Sequence, residues 1–280
     1  MADRQIINKT QGFLTKDGAG VKLVRVLGDR TVDMYDPILM LDSFDSTNPA
    51  DYLAGFPEHP HRGIETISYV YKGKMTHEDS LGNKDTITDG EVQWMTAGSG
   101  ILHAEMLPAS ERLLGVQLWL NLPARNKMAD PNYHAIKKAD IEEIAFEGGM
   151  LRLLAGSFQG HLGYQPHYLP LDYYDIHLKS GSSLTLEPAP DRSVMVFTLL
   201  GDATVQGELI KEKTAVKLSQ GNQIHLAATN GDAQILFMSS TRLDEPVAWG
   251  GPIVMNTEEE LQQAMFELRD GTFIKQAVEY

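Results

Sequence analysis

The feature that most constrains this chain is a rhythm. Between Val21 and Trp119, short stretches rich in Val, Ile, Tyr and Thr ("VKLVRVL", "ETISYVY", "KDTIT", "EVQWM", "GVQLWLN") alternate with turn clusters such as "LGD", "KGK", "SLGN" and "TDGE". β-branched and aromatic residues suit a pleated, half-buried surface, while Gly, Asn and Asp supply the backbone freedom that tight reversals demand. Many short strands at such spacing close into a barrel or sandwich, because an open sheet would leave long unpaired edges. The rhythm resumes from Met150 to Ser240, beyond a polar, proline-bearing stretch and the charged segment "KKADIEEIAFEGG". The expectation is an all-β protein of two barrels, residues 1–135 forming the first and residues 136–280 the second.

The second half reads as a worn copy of the first. "YVYKGK … ITDGEVQWMTAGSG" and "TLLGDA … LSQGNQIHLAATNG" share the order strand, glycine turn, hairpin, glycine turn, strand, with 17 residues from Gly73 to Gly90 and 20 from Gly201 to Gly221. Duplication of one small barrel explains both. A single short helix is expected near the C-terminus and is assigned to the second barrel. Thr257 and Glu260 make a capping box, Leu261, Ala264, Met265 and Leu268 fall on one face, and "DGT" stops it.

Composition removes several functions. A length of 280 residues with 42% hydrophobic side chains provides apolar material for two cores, and a net charge of -14 repels phosphate backbones, so direct nucleic-acid binding is disfavoured. The chain has no cysteine, which rules out disulfides, thiolate metal sites and a cysteine nucleophile. "MADRQIINKTQGF" lacks the apolar core of a signal peptide, and runs such as "AWGGPIVM" fall far short of the roughly 20 residues of a membrane span, so a cytoplasmic protein with no membrane association is expected. No GxSxG elbow, phosphate-binding loop or dinucleotide fingerprint is present, and no organic cofactor is expected.

Against this background one run stands out, "FPEHPHRGIE" from Phe56 to Glu65. Side chains alternate faces along a strand, so His59, His61, Gly63 and Glu65 would share one face and Pro60, Arg62 and Ile64 the other. A second pair with the same spacing, His103 and Glu105, lies in "GILHAEM". Meeting across neighbouring strands inside a barrel, His59, His61, His103 and Glu105 would offer three nitrogens and one carboxylate to a single ion. Pro60 lacks an amide hydrogen and so favours a sheet edge or barrel mouth, where an ion gains solvent access. Gly98 and Gly100 in "TAGSG" permit positive φ and close approach, so that turn can deliver His103 onto the first pair, and substituting either should disturb the site. A lone HxH is common as ordinary loop polarity; two matched pairs beside turn glycines favour a metal site. His77, in "MTHEDSLGN", reads as a cavity-lining residue or as a solvated turn histidine, with nothing to separate the two. Trp94, Met95, Leu114, Leu118 and Trp119 read as core.

Four motifs in order carry a family likeness: "G-x3-HPHRG-x-ET", "EVQWMTAG-x-GILHAEM", "LWLNLP" and "EPV … GPxVMNTxEE". Together they resemble the pirins of the cupin superfamily, from about Gly55 to Glu260. The resemblance implies a bicupin, two cupin-type β-barrels, with iron as the usual ion. Carried over by position, it places the metal ligands on His59, His61, His103 and Glu105, the set strand parity selects. It also implies that Glu65 is not normally a ligand; orienting an imidazole is the role left to it. By chemistry alone Fe(II), Ni, Cu, Mn or Zn would suit such a set, with one carboxylate tilting away from Cu(I). In the second barrel, offsets counted from the turn glycines fall on Glu187, Ala189, Gln234 and Leu236, none of them histidine. That barrel is therefore expected to lack a metal, with His161, His167, His177 and His225 structural or exposed.

Function follows the same resemblance. It implies an iron-dependent dioxygenase, an oxidoreductase of the quercetin 2,3-dioxygenase type, whose partners are dioxygen and a hydroxylated aromatic such as a flavonol. Adjacency gives Glu105 the catalytic role of accepting the substrate's proton. The alternative, also ascribed to pirins, is an iron-binding regulatory protein whose redox state alters its contact with a protein partner.

Overall fold

In the computed structural model, which describes residues 2–276, each of two compact units pairs a seven-stranded sheet with a four-stranded one. In the first unit the larger sheet runs Asn132–Ile136, Glu91–Thr96, Ile64–Lys72, Leu113–Asn121, Ile38–Ser46, Val21–Leu27, Phe13–Asp17, and the smaller runs Phe56–His61, Ile101–Met106, Met75–Asp79, Lys84–Ile87. In the second, the larger runs Ile6–Gln11, Thr214–Leu218, Ser193–Leu200, Ala233–Ser240, Leu171–Leu178, Gly149–Ala155, Glu142–Phe146, and the smaller runs Ser183–Leu186, Ile224–Ala227, Ala203–Val205, Glu208–Ile210. Strand for strand the two orders correspond, apart from the edge strand Ile6–Gln11, which the chain supplies from its start. The repeat is thus one of topology, although Gly90 precedes the strand Glu91–Thr96 while Gly221 follows the corresponding strand Thr214–Leu218, so those two turn glycines are not counterparts.

The units do not divide at one point. The first gathers Leu14–Val32, Ile38–Lys138 and the segment beginning at Asp244; the second gathers the segment ending at Phe13, Asp33–Pro37 and Ala139–Leu243. The cut expected at 135/136 lies beside the crossing at Lys138, but the chain's two ends trade units. At one end, Ile6–Gln11 closes an open sheet edge by pairing with Thr214–Leu218, with Lys9 opposite Val216. At the other, the helix Glu258–Asp270 packs on the first unit, correcting its assignment to the second barrel. Thr257 and Glu260 form its capping box and Gly271, at φ +72°, ends it. Leu261 and Ala264 are buried with Ala248, Ile253, Met255 and Phe273, whereas Met265 is exposed.

Two buried cations fasten this tail to the rest of the first unit. Lys127 Nζ donates to Gly63 O at 2.8 Å, Asn121 Oδ1 at 2.5 Å and Val254 O at 2.9 Å. Arg62 donates to Ser99 O at 2.7 Å and Phe273 O at 2.9 Å, pairs with Glu267 at 2.8 Å, and lies over the Phe273 ring. Both donate to backbone carbonyls in the interior, where a buried charge needs such partners. Both also brace the turn that directly follows His61.

Candidate metal centre

The strand Phe56–His61 lies at the edge of its sheet, as Pro60 requires, and pairs with Ile101–Met106 so that His59 stands opposite His103 and His61 opposite Ile101. After Arg62 the strand breaks. Gly63 has φ +78°, and a Cβ there would stand 2.0 Å from Val254 O, so only glycine makes this turn. The break moves Glu65 onto a different strand, Ile64–Lys72, in the seven-stranded sheet. The parity that joined Glu65 to the histidines therefore fails at Gly63.

The three imidazoles converge. Nε2 of His59 is 3.1 Å from Nε2 of His61 and 3.0 Å from Nε2 of His103, and the donor atoms all lie within 4.8 Å of one another. Hydrogen bonds at the far side of two rings fix their tautomers. His59 Nδ1 is 2.8 Å from Pro57 O and His61 Nδ1 is 2.9 Å from Pro252 O. Carbonyl oxygens only accept, so each Nδ1 carries the proton and each Nε2 of the neutral ring is bare. Two bare nitrogens 3.1 Å apart repel each other unless a cation lies between them. Nitrogens about 2.1 Å from a common metal ion and at right angles across it stand about 3.0 Å apart. The donor set and its spacing fit a transition-metal ion. Burial, followed by the neighbouring His59, pushes His61 down to about 3, against the opposing bond to Pro252; burial and the other imidazoles likewise push His103 down.

Glu105 is buried at 1% exposure and held by amides: Gln93 Nε2 donates to Oε1 and Gln117 Nε2 to Oε2 at 2.7 Å. Its oxygens are not among the donor atoms that cluster within 4.8 Å, so the structure brings together three of the four residues picked from sequence. Among the described residues no Lys or Arg pairs with it, and its hydrogen bonds come from the amides of Gln93 and Gln117 and the Ser68 hydroxyl. Glu65 Oε1 accepts from Thr96 at 2.7 Å, and burial, opposed by bonds from Thr96 and Trp94, pushes its carboxyl up to about 7. Pro57 and Pro252, not Glu65, orient the first two imidazoles.

His77 is fully buried, not a solvated turn residue. Its Nδ1 faces His103 Nδ1 at 3.4 Å, its Nε2 is 2.9 Å from Asp79 Oδ2, and its ring stacks on Tyr133 with centroids 4.3 Å apart. Neither Asp79 nor the amides of Gln93 and Gln117 carried a signal in the sequence beyond ordinary strand polarity.

His59 and His61 line a cavity of about 550 Å³ whose walls also include Phe56, Trp119, Trp249 and Pro252. Trp119, read as core, meets the His61 ring edge-on at 4.9 Å and Trp249 at 5.7 Å. Elsewhere on the wall Arg25 makes a two-pronged bond to the buried Asp42, at 2.9 and 2.7 Å.

The sequence matches the pirin family over residues 20–120 and the pirin C-terminal cupin domain over residues 173–274. A pirin-like protein of Caulobacter vibrioides is 38% identical over 279 residues, spanning 98% of this chain and 100% of its own. The chain belongs to the pirin family. A crystal structure of quercetin 2,3-dioxygenase from Acinetobacter baumannii is 33% identical, with a TM-score of 0.90 and coverage of 97% of this chain and 99% of that one. The bacterial pirin YhhW of Escherichia coli, solved in complex with nickel(II), shares the fold at 22% identity and a TM-score of 0.67, over 84% of this chain and 98% of its own.

Only one of the two pirin barrels here carries the imidazoles. Strand pairing sets Leu184 opposite Leu226 and Leu186 opposite Ile224, where the first barrel sets His59 opposite His103 and His61 opposite Ile101. Leu184, Leu186 and Leu226 thus stand in the places of His59, His61 and His103. Of the positions counted from the turn glycines, Glu187 and Ala189 miss these because a longer loop, residues 187–192, separates Ser183–Leu186 from Ser193–Leu200, and Gln234 and Leu236 miss because Gly221 follows the strand Thr214–Leu218 whereas Gly90 precedes its counterpart Glu91–Thr96. The three leucines join the hydrophobic core, while His161, His167 and His225 are exposed and His177 bonds Asp175 at 2.9 Å. Among the described residues no helix is long and apolar enough to cross a membrane.

Proposed function

We propose that this chain is a metal-dependent dioxygenase acting on a hydroxylated aromatic of the flavonol class, with Fe(II) as the resident ion. One observation carries the reading: imidazole nitrogens with bare lone pairs converge at 3.0–3.1 Å where His59 and His61 line a cavity of about 550 Å³ whose walls include aromatic rings. That volume lies within the range of about 300–1,000 Å³ typical of small-molecule sites. The name quercetin 2,3-dioxygenase borne by the Acinetobacter baumannii structure at 33% identity points the same way.

His59, His61 and His103 would hold the ion, and Glu105, on the same strand as His103 and facing the same interior, would complete the set. Bound there, the ion would supply Lewis acidity toward a substrate hydroxyl and a redox partner for dioxygen. Trp119, Trp249 and Phe56 bury the aromatic rings of the substrate and exclude water. Glu105 accepts the hydroxyl proton, and the amides of Gln93 and Gln117 hold its carboxylate in place meanwhile. Structural metal sites are closed by four protein ligands. Here His59 is only partly buried and borders the cavity, which suits a site that reacts.

The test is oxygen uptake with quercetin by Fe(II)-reconstituted protein, beside His59→Ala and Glu105→Gln. Rapid uptake by the unaltered protein and loss in both variants is the expected result. Equal turnover by His59→Ala ends the proposal.

A further inference from the structure

We propose that His77 and Asp79 form a buried positioning dyad that fixes the proton of His103 on Nδ1, so that its Nε2 lone pair faces His59 and His61. The inference rests on the three-imidazole reading of the site and deepens it, because His103 is the one ring of the three whose Nδ1 meets no backbone carbonyl.

The direction of the hydrogen bonds follows from Asp79. Its Oδ1 accepts from the backbone N–H of Leu81 at 2.9 Å and of Asn83 at 3.1 Å, and its Oδ2 accepts from Asn83 Nδ2 at 2.9 Å. Every other partner of this carboxylate is a donor, so at Oδ2 His77 Nε2 also donates, across 2.9 Å. A neutral imidazole that donates from Nε2 is bare at Nδ1. That bare Nδ1 meets His103 Nδ1 at 3.4 Å, and only His103 has a proton to give. The proton therefore sits on His103 Nδ1, and Nε2, 3.0 Å from His59 Nε2, is left to bind.

The dyad is set firmly. His77 and Asp79 side chains have 0% exposure. The Tyr133 ring lies nearly parallel to His77, at 16°, and the strand Met75–Asp79 places Asp79 directly opposite His103. Partners of this kind orient a ligand and raise its basicity, and losing one costs about 10- to 100-fold in metal affinity.

The test uses the full chain with zinc(II) as a diamagnetic probe, in competition with a chelator of known affinity. His77→Phe keeps the stack on Tyr133 and removes both hydrogen bonds; His77→Gln can restore them, its carbonyl accepting from His103 and its amide donating to Asp79. We expect zinc affinity to fall about 10- to 100-fold in His77→Phe and to recover for the most part in His77→Gln, with the thermal midpoints of the metal-free variants close together. Imidazole nitrogen-15 spectra of the unaltered, metal-free protein should place the His103 proton on Nδ1, a reading that requires no variant to fold. A proton on Nε2, unchanged zinc affinity in His77→Phe, or equal losses in Phe and Gln would overturn the dyad. Failure of the unaltered protein to bind zinc would instead overturn the three-imidazole reading, and the dyad with it.

Discussion

His59 and His103 stand directly opposite each other on adjacent strands with their Nε2 atoms 3.0 Å apart. The spacing repels until a cation enters, so the site should gain stability when an ion does. A ligand at a hundred times its dissociation constant adds about 2.7 kcal/mol to the stability of the state that binds it. We expect anaerobic Fe(II), or Ni(II) in air, to raise the melting temperature of the unaltered protein by several degrees and to leave His103→Ala unmoved. A chelator should reverse the rise. Scanning calorimetry at fixed protein concentration decides it, and an equal rise in both proteins would remove His103 from the site.

Glu105 accepts from Gln117 at 2.7 Å and from Gln93, so a glutamine in its place would meet amide donors with an amide of its own. Its charge, and its capacity to take a proton, would be gone. General-base catalysis contributes about 10²- to 10⁴-fold. Glu105→Gln should therefore lose at least the lower end of that range in kcat while still taking up metal through the three imidazoles. Steady-state oxygen uptake on metal-quantified protein measures this; a kcat within a few-fold of the original would assign the proton to another acceptor.

Much of this site was legible because its signals are local. His59 and His61 lie on one strand, so alternation put them on one face, and a glycine turn followed by strand pairing brings His103 to them. Glu65 shows where alternation stops: a single positive φ at Gly63 ends the strand and sends the next residues into another sheet. Exchange of the chain's ends could not be read, because Ile6–Gln11 and Glu258–Asp270 carry the patterns of an ordinary strand and helix whichever barrel they join. His77 and Asp79 were hidden for a related reason. Their spacing matches that of any alternating hairpin, and only cross-strand pairing with His103 gives it meaning.

Glu65 gives the fold a pH dependence whose sign can be worked out. Its carboxyl is raised from 4.5 to about 7 in the folded chain, chiefly by burial. Between those values the folded state holds a proton that the unfolded state has released, so stability falls as pH rises through this window. The stability is complete below 4.5 and lost above about 7, a span that corresponds to about 3 kcal/mol. Glu65→Gln should flatten this slope, whatever constant offset the amide brings. Urea unfolding of both proteins at steps from pH 4.5 to 8 compares them, and parallel profiles would show that Glu65 does not titrate in that window.

Gly98 joins the two ligand-bearing turns. Its carbonyl accepts from Gly63 N–H at 2.9 Å, while its neighbour Ser99 donates to Ala129 O at 2.7 Å. With φ +48°, a Cβ at this position would stand 2.1 Å from Ala129 O, a backbone atom that cannot swing aside. Gly98→Ala must therefore move the turn, and with it the start of the strand Ile101–Met106 that carries His103. Strain of this kind costs about 1–3 kcal/mol, and the displaced imidazole should weaken metal binding further. We expect Gly98→Ala to unfold at lower urea and to bind zinc less tightly, whereas Gly160→Ala, at a positive φ with open space around it, should show the strain alone and leave zinc affinity intact. Equal zinc affinity in the two variants would separate the turn from the metal centre.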